Sequence, residues 1–230
     1  MIEIEKLSKS FGTRTIWSGV TLALNPGDML ALVGPSGSGK STLLNCLGLL
    51  ETPSAGAIRY EGKDIVQFGE RAKRRFRRDA LGYLFQNYAL IENATVAVNL
   101  EIVAKPRSPL HRGRPRADTA EALERVGLAG REKEKVSRLS GGEQQRVALA
   151  RLIVKQPALV LADEPTGALD HENTVMVVDT LREMSNAGCA VVIATHNDYV
   201  RDRSNTTFDV TMPTVNAKAH STQTADSPSK

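Results

Sequence analysis

Cysteine is scarce in this 230-residue chain, with Cys46 and Cys189 the only two, each inside an apolar stretch. Two thiols without knuckle or C-x-x-C spacing exclude a disulfide framework, a zinc ribbon and a redox pair, and both are expected to be buried and reduced. Aromatic residues are thin as well, at 4% with a single Trp. Two basic runs, RAKRRFRR at Arg71–Arg78 and KPRSPLHRGRPR at Lys105–Arg116, therefore lack the interleaved rings that stack on bases. They read as solvated helix and loop surface, and no nucleic-acid partner is expected. No apolar run approaches the ~18 residues that a spanning helix needs. The opening MIEIEKLSKS alternates apolar and charged residues, the pattern of a strand and not of a signal peptide. Any membrane role is thus expected to be borrowed from a partner. No charge sign dominates: 30 Lys and Arg against 26 Asp and Glu leave +4 and a pI near 9.1. That balance fits a protein that handles anions or lies beside an anionic membrane, and it fits an ordinary solvated surface equally. Internal repeats are also missing.

What is present is an ordinary globular composition, 41% hydrophobic and 24% charged. Residues 212–230 are the exception, with almost nothing to bury, and are expected to form a disordered tail. Met1–Phe11 alternates Ile2, Ile4 and Leu7 against Glu3, Glu5 and Lys6, the period of a half-buried strand. Val20–Leu24 predicts a second strand before the turn Asn25-Pro26-Gly27-Asp28, and Met29–Val33 one covered on both faces. Ser41–Leu50 predicts a buried helix, and Ala57–Tyr60 and Leu81–Phe85 further strands. From Asn87 to about Gln156 the spacing turns helical, clearest at Asp118–Val126 and Gly142–Val154, with Pro106, Pro109 and Pro115 between. Strands return at Leu159–Ala162 and Ala190–Thr195, with a helix over Glu172–Asn186. Apolar strands alternating with helices predict an α/β fold with a mostly parallel sheet.

After the third predicted strand, GPSGSGKST spans Gly34–Thr42 and fits G-x-x-x-x-G-K-[ST] at Gly34, Gly39, Lys40 and Ser41. The residue types follow from the chemistry of a triphosphate. Glycines let the backbone curl so that successive N–H groups converge on phosphate oxygens, and the helix N-terminus adds its positive end. Lys40 offers a point charge to the β- and γ-phosphates, and the Ser41 hydroxyl a ligand to Mg²⁺. The apolar strand Leu159–Ala162 then ends in Asp163 and Glu164. Ligands gather at the carboxyl ends of strands in open α/β sheets, so Asp163 is expected within reach of the same Mg²⁺. Glu164, one residue on, is expected to polarise a water attacking the γ-phosphate.

RLSGGEQQRVALAR at Arg138–Arg151 narrows this further. Ser140 and Glu143 form a capping box, which accounts for a helix start but not for Gly141 and Gly142, since glycines weaken a first turn. LSGGE closely resembles the signature of ATP-binding cassette (ABC) proteins, and it stands about twenty residues before Asp163, as it does in that family. The resemblance covers about residues 1–200, with motifs in the family's order. It implies that Gln86 is the Q-loop glutamine, sensing Mg²⁺, that Ala168-Leu169-Asp170 is the D-loop and that His196 is the switch histidine. Phe11 matches the residue that stacks on adenine, where tyrosine is commoner. NDYVRDRSNTTFDV, beyond His196, lacks the clear aspartate-containing hairpin that usually closes the cassette.

The resemblance implies a mostly parallel RecA-like core sheet with an antiparallel β subdomain and an inserted helical subdomain. One nucleotide-binding domain is expected over residues 1–211, with its core at 1–86 and 157–211 and its helical insert at 87–156. ATP and Mg²⁺ are the implied ligands. Gly34, Pro35, Ser36, Gly37, Ser38, Gly39, Lys40, Ser41 and Thr42 would hold the phosphates, with Ser41, Gln86 and Asp163 at the metal and Glu164, His196, Lys40 and Gln86 in catalysis. A second copy would cover the nucleotide with its Ser140, Gly141, Gly142 and Glu143, and Asp170 would sit near the joint. An integral permease is the further implied partner, placing the chain peripherally on the cytoplasmic face of the membrane. DEPTGALD at Asp163–Asp170 resembles cassettes of the macrolide-exporter and lipoprotein-release type, and LGYLFQNYALIENATVAVNL at Leu81–Leu100 the bacteriocin-export group. Export is therefore expected. A regulatory or cell-division ATPase with a membrane partner, or a soluble non-transport ABC ATPase, stays open as an alternative.

Overall fold

The computed structural model describes residues 1–104, 118–167, 169–211 and 218–219. The second basic run, Ala168 and most of the expected tail lie outside these residues. The elements are β1 (Ile2–Phe11), β2 (Arg14–Leu24), β3 (Met29–Val33), α1 (Lys40–Leu47), β4 (Ala55–Tyr60), β5 (Lys63–Asp64) and α2 (Glu70–Asp79). There follow β6 (Leu81–Leu84), α3 (Val96–Ala104), α4 (Thr119–Arg125), α5 (Gly141–Lys155), β7 (Leu159–Asp163) and α6 (His171–Asn186). The chain ends with β8 (Ala190–Ala194), α7 (Asp198–Asp202), β9 (Thr206–Asp209) and β10 (Lys218–Ala219).

Two sheets form, one of four strands in the order β2-β1-β4-β5 and one of six in the order β10-β9-β3-β8-β7-β6. The first is antiparallel. In the second, β9, β3, β8, β7 and β6 are parallel neighbours and β10 alone is antiparallel. The continuous apolar runs at β7 and β8 are explained by their alternation between two cores. Leu159, Leu161, Ala190, Val192 and Ala194 pack with α1 and the antiparallel sheet. Val160, Ala162, Val191 and Ile193 pack with the helices that follow β6 and β7. Strands buried on both faces have no polar side to show, which is why their sequences carry no alternation.

The first basic run is helix α2, and Arg71, Arg74, Arg75 and Arg78 on it are exposed while Phe76 is buried against Tyr60, ring centroids 5.2 Å apart. Cys46 and Cys189 are buried thiols outside any disulfide, as expected. Among the described residues no helix is long and apolar enough to cross a membrane.

The C-terminal end departs from expectation. NTTFDV does supply a closing strand: β9 lies parallel to β3, with Val33 opposite Asp209, and β10 turns back on β9, with Lys218 opposite Thr207. The ladder therefore continues past residue 211. Only Phe208 of the four β9 residues is buried, so the strand has almost no hydrophobic signal of its own.

The antiparallel sheet is irregular where β1 meets both neighbours. Lys6 takes φ 46°, and the registers with β2 and β4 shift around it. Gly56 answers that bulge from β4. At φ +87° it brings its backbone so close that an added Cβ would lie 2.5 Å from the Lys6 carbonyl oxygen and 2.6 Å from the Leu7 Cα. Backbone cannot swing aside as a side chain can. Gly56→Ala is therefore expected to destabilise the protein by about 3 kcal/mol, from left-handed backbone strain plus overpacking. Urea unfolding of both proteins checks this, and an unchanged midpoint would refute it.

Candidate functional site

Four parallel strands deliver their carboxyl ends to one cleft of about 890 Å³. Behind β3 comes the glycine loop. Its glycines are set by geometry: Gly34, Gly37 and Gly39 take φ of 141°, 75° and 94°. A Cβ on Gly39 would stand 2.4 Å from Ile16 Cγ2 and 2.8 Å from Trp17 Cδ1, so the loop is also pinned against β2. Trp17 Nε1 donates to the Gly39 carbonyl at 3.3 Å. Gly39 then serves as N-cap of α1 without a side-chain cap, leaving first-turn N–H groups for another acceptor.

Lys40 is 8% exposed, and its ammonium donates to the carbonyls of Gly34 at 2.8 Å and Pro35 at 3.1 Å. The cation is thus folded over the loop, held by weak neutral acceptors that a phosphate oxygen can outcompete. Ser38 Oγ, inside the loop, is buried without a hydrogen-bond partner among the described residues. The curl of N–H groups, the cation and the orphaned hydroxyl suit a polyphosphate.

From β7 come the acids. Ser41 Oγ donates to Asp163 Oδ1 at 2.9 Å across 122 residues of sequence. Burial pushes the Asp163 carboxyl above its ordinary range, the Ser41 hydrogen bond and Lys40 oppose that, and Glu164 adds to it. A hydroxyl and a carboxylate are hard oxygen donors, the kind that suits Mg²⁺ when phosphate oxygens complete the set. Glu164 follows at φ 46°, with its N–H bonded to the Ala194 carbonyl at 2.9 Å. That bend turns the side chain into the cleft. Glu164 Oε2 lies 2.9 Å from His196 Nδ1, yet the pair is not aligned for a hydrogen bond and the oxygen has no other partner among the described residues. A carboxylate in that condition can accept from a water in the cleft.

His196, 72% exposed at its side chain, stands just beyond β8, where Asn197 N–H bonds to the buried Thr195 hydroxyl at 3.0 Å. Gln86 follows β6 and lines the same cleft, as does the half-exposed Phe11. Of the residues picked out from sequence, Phe11, Ser36, Gly37, Gly39, Lys40, Ser41, Thr42, Gln86, Glu164 and His196 line the cleft, and Asp163 joins through Ser41.

Ser140, Gly141, Gly142, Glu143 and Asp170 do not line this cleft. Ser140 caps α5 in a full capping box, its N–H on Glu143 Oε2 at 2.8 Å and its Oγ accepting from Glu143 N–H at 3.3 Å. Asp170 caps α6, accepting from Asn173 N–H at 2.8 Å. Two residues that sequence reading missed connect these regions. Gln145, 3% exposed, reaches from α5 to donate to the Pro165 carbonyl beside Glu164 and also lines the cleft. Tyr88 lies between Gln86 and the signature turn, its hydroxyl 3.8 Å from where a Cβ on Gly141 would be. Neither has a sequence signal beyond position, Gln145 being one of two adjacent glutamines.

A profile of the ABC transporter family matches residues 17–167. The chain is 38% identical over 208 residues to the macrolide export ATP-binding/permease protein MacB of Nitrobacter winogradskyi, covering 87% of this chain but 32% of that protein. It therefore spans about a third of the length of that relative. It is 46% identical over 187 residues to the lipoprotein-releasing system ATP-binding protein LolD of Pseudomonas syringae pv. tomato, covering 79% of this chain and 80% of that one. A dimeric bacterial ABC transporter cassette superposes with TM-score 0.79 at 29% identity, over 91% of this chain and 94% of the other. A dimeric post-hydrolysis state of an ATP-binding cassette holding ADP and Pi gives TM-score 0.78, also at 29% identity, over 91% of this chain and 94% of the other.

Replacing the ammonium over the loop removes its one charge-assisted donor. Lys40→Ala is expected to weaken ADP binding by about tenfold to a hundredfold while the circular dichroism stays native. Calorimetric titration with ADP measures it, and undiminished affinity would remove Lys40 from the site.

Proposed function

Because this chain belongs to the ABC transporter family, as an ATP-hydrolysing cassette, we propose that it is the motor of a separate membrane permease and that Glu164 is its catalytic base. The observation that carries this is the Ser41–Asp163 hydrogen bond with Glu164 and His196 in the same cleft, around the folded-over Lys40.

Residues Gly34–Thr42 hold the phosphates, and Phe11 stacks on the base. Ser41, Asp163 and Gln86 would hold Mg²⁺, which when bound screens the charge of the phosphates. Glu164 accepts a proton from the attacking water, and His196 holds the γ-phosphate side in position. Lys40 stabilises charge that develops on the transferring group.

Two copies are proposed to associate head to tail on ATP. Gly141 and Gly142 support this reading. An added Cβ at either would meet nothing nearer than 3.7 Å, and neither has a left-handed φ. Packing within one chain does not demand them, whereas a nucleotide brought up by a second copy does, against an N-terminus with a positive end. Core residues 1–86 and 157–211 with the insert 87–156 then act as two lobes, Gln86 standing at their junction.

The exposed Ile91, Val98 and Ile102 lie just after Gln86 and offer apolar surface to a permease helix. The macrolide-export and lipoprotein-release names of the relatives favour export and a peripheral place on the cytoplasmic face.

Glu164→Gln is expected to bind ATP, lose hydrolysis by about a hundredfold or more, and elute as a dimer only with ATP. Phosphate release and gel filtration measure the two effects. Normal turnover would take Glu164 out of its role, and an ATP-loaded monomer would refute the sandwich.

A further inference from the structure

Lys9 is the second-strangest residue in the core after Lys40, a cation only 6% exposed. Its burial is a consequence of the β1 bulge. Ile2 and Ile4 face inward, the left-handed Lys6 resets the phase, and Leu7 and Lys9 face inward in turn. Once inside, the ammonium has three neighbours. It donates to Glu51 Oε1 at 2.6 Å and to the Thr52 carbonyl at 2.7 Å, and it stands 4.4 Å from the centroid of the Phe11 ring.

These contacts tie the Phe11 ring to the chain that leaves α1. Glu51 and Thr52 follow closely after α1, the helix that the phosphate loop opens, and Phe11 is a half-exposed ring that lines the cleft. We infer that Lys9 is a positioning residue for the base of the nucleotide, holding one face of Phe11 by a cation–π contact so that the opposite face is presented to a purine. The inference rests on the proposed stacking role of Phe11 and deepens it.

Two physical effects act together. A ring attracted to a fixed charge loses rotamer freedom before the base arrives, so less ordering remains to be done on binding. The cation also draws π-density toward itself, leaving the open face less negative and better suited to an electron-rich base. Because the same ammonium is tied to Glu51 and Thr52, it also links the base shelf to the chain just after the phosphate helix.

The test compares ADP, which carries a base, with inorganic tripolyphosphate, which does not, by calorimetric titration of the full chain. Phe11→Ala is expected to weaken ADP about tenfold and leave tripolyphosphate unchanged. Lys9→Met is expected to weaken ADP about fivefold, again without effect on tripolyphosphate, and to add nothing in the Phe11→Ala background. Lys9→Arg should restore ADP affinity to within about twofold, since guanidinium holds a ring as well. If Lys9→Met does not fold, Lys9→Gln, which keeps a donor for Glu51 and Thr52 without the charge, carries the same expectation. Equal losses for both ligands would make Lys9 a tie between β1 and α1 only, and no loss for either would overturn the inference outright. An unchanged ADP affinity in Phe11→Ala would instead remove the base shelf itself, a separate failure.

Discussion

The hydrogen bond from Ser41 to Asp163 is the contact on which the rest of the site depends, because it can form only if the sheet is assembled in one order. Ser41 belongs to the helix after β3 and Asp163 ends β7, and β8 lies between those strands. Parallel register puts all three carboxyl ends on the same edge, with Leu32 opposite Ala194 and Asp163 opposite Ala194 as well. His196 follows β8, and Gln86 follows β6 on the far side of β7. A glycine loop, an acid pair, an imidazole and an amide, scattered over 163 residues from Gly34 to His196, become neighbours without any of them being close in the chain. Any slip of one strand past another would separate the hydroxyl from the carboxylate and move Glu164 from His196.

Electrostatics in that edge are kept in tension. Asp163 is pushed toward its neutral form by burial and by Glu164, while Ser41 and Lys40 favour the charged form. Among the described residues Glu164 Oε2 has no aligned donor, and Lys40 is held by carbonyl oxygens. Each of these groups is less well satisfied than it would be with a polyanion and a hard cation among them. A fold that has invested its strand ends in this way is arranged for binding, since burying polar groups short of partners costs stability.

How much of this could be read from residues alone depended on whether a segment's physics is local. The phosphate loop is local: its glycines, its lysine and its hydroxyl are fixed by dihedrals and by the chemistry of phosphate, and the strand before it is apolar throughout. The acids at the end of β7 were legible for the same reason. β9 was not, because a single buried Phe208 gives it no period and its identity comes from pairing with β3. Helix α2 was visible only as a basic run, since it packs through little more than Phe76. Lys9 was invisible for a subtler cause: the inward phase of β1 is reset at Lys6, so strict alternation from Ile2 mispredicts which later residues face the core.

Glycine illustrates the same limit from the other side. Gly34 and Gly39 are demanded from within, by positive φ and by atoms that a Cβ would strike at 2.9 and 2.4 Å. Gly141 and Gly142 look identical in the sequence, yet their backbone is helical and their surroundings are open. They also weaken the first turn of α5 by about 1 kcal/mol each relative to alanine, a cost that the Ser140–Glu143 capping box offsets in part. Among the described residues no packing around either glycine returns the remainder. What remains is an approach from outside by something that needs bare backbone at a helix N-terminus, and in the proposed sandwich that is the triphosphate carried by another copy. The first kind of glycine completes the site of one chain, and in the proposed sandwich the second kind is half of a site that two copies share.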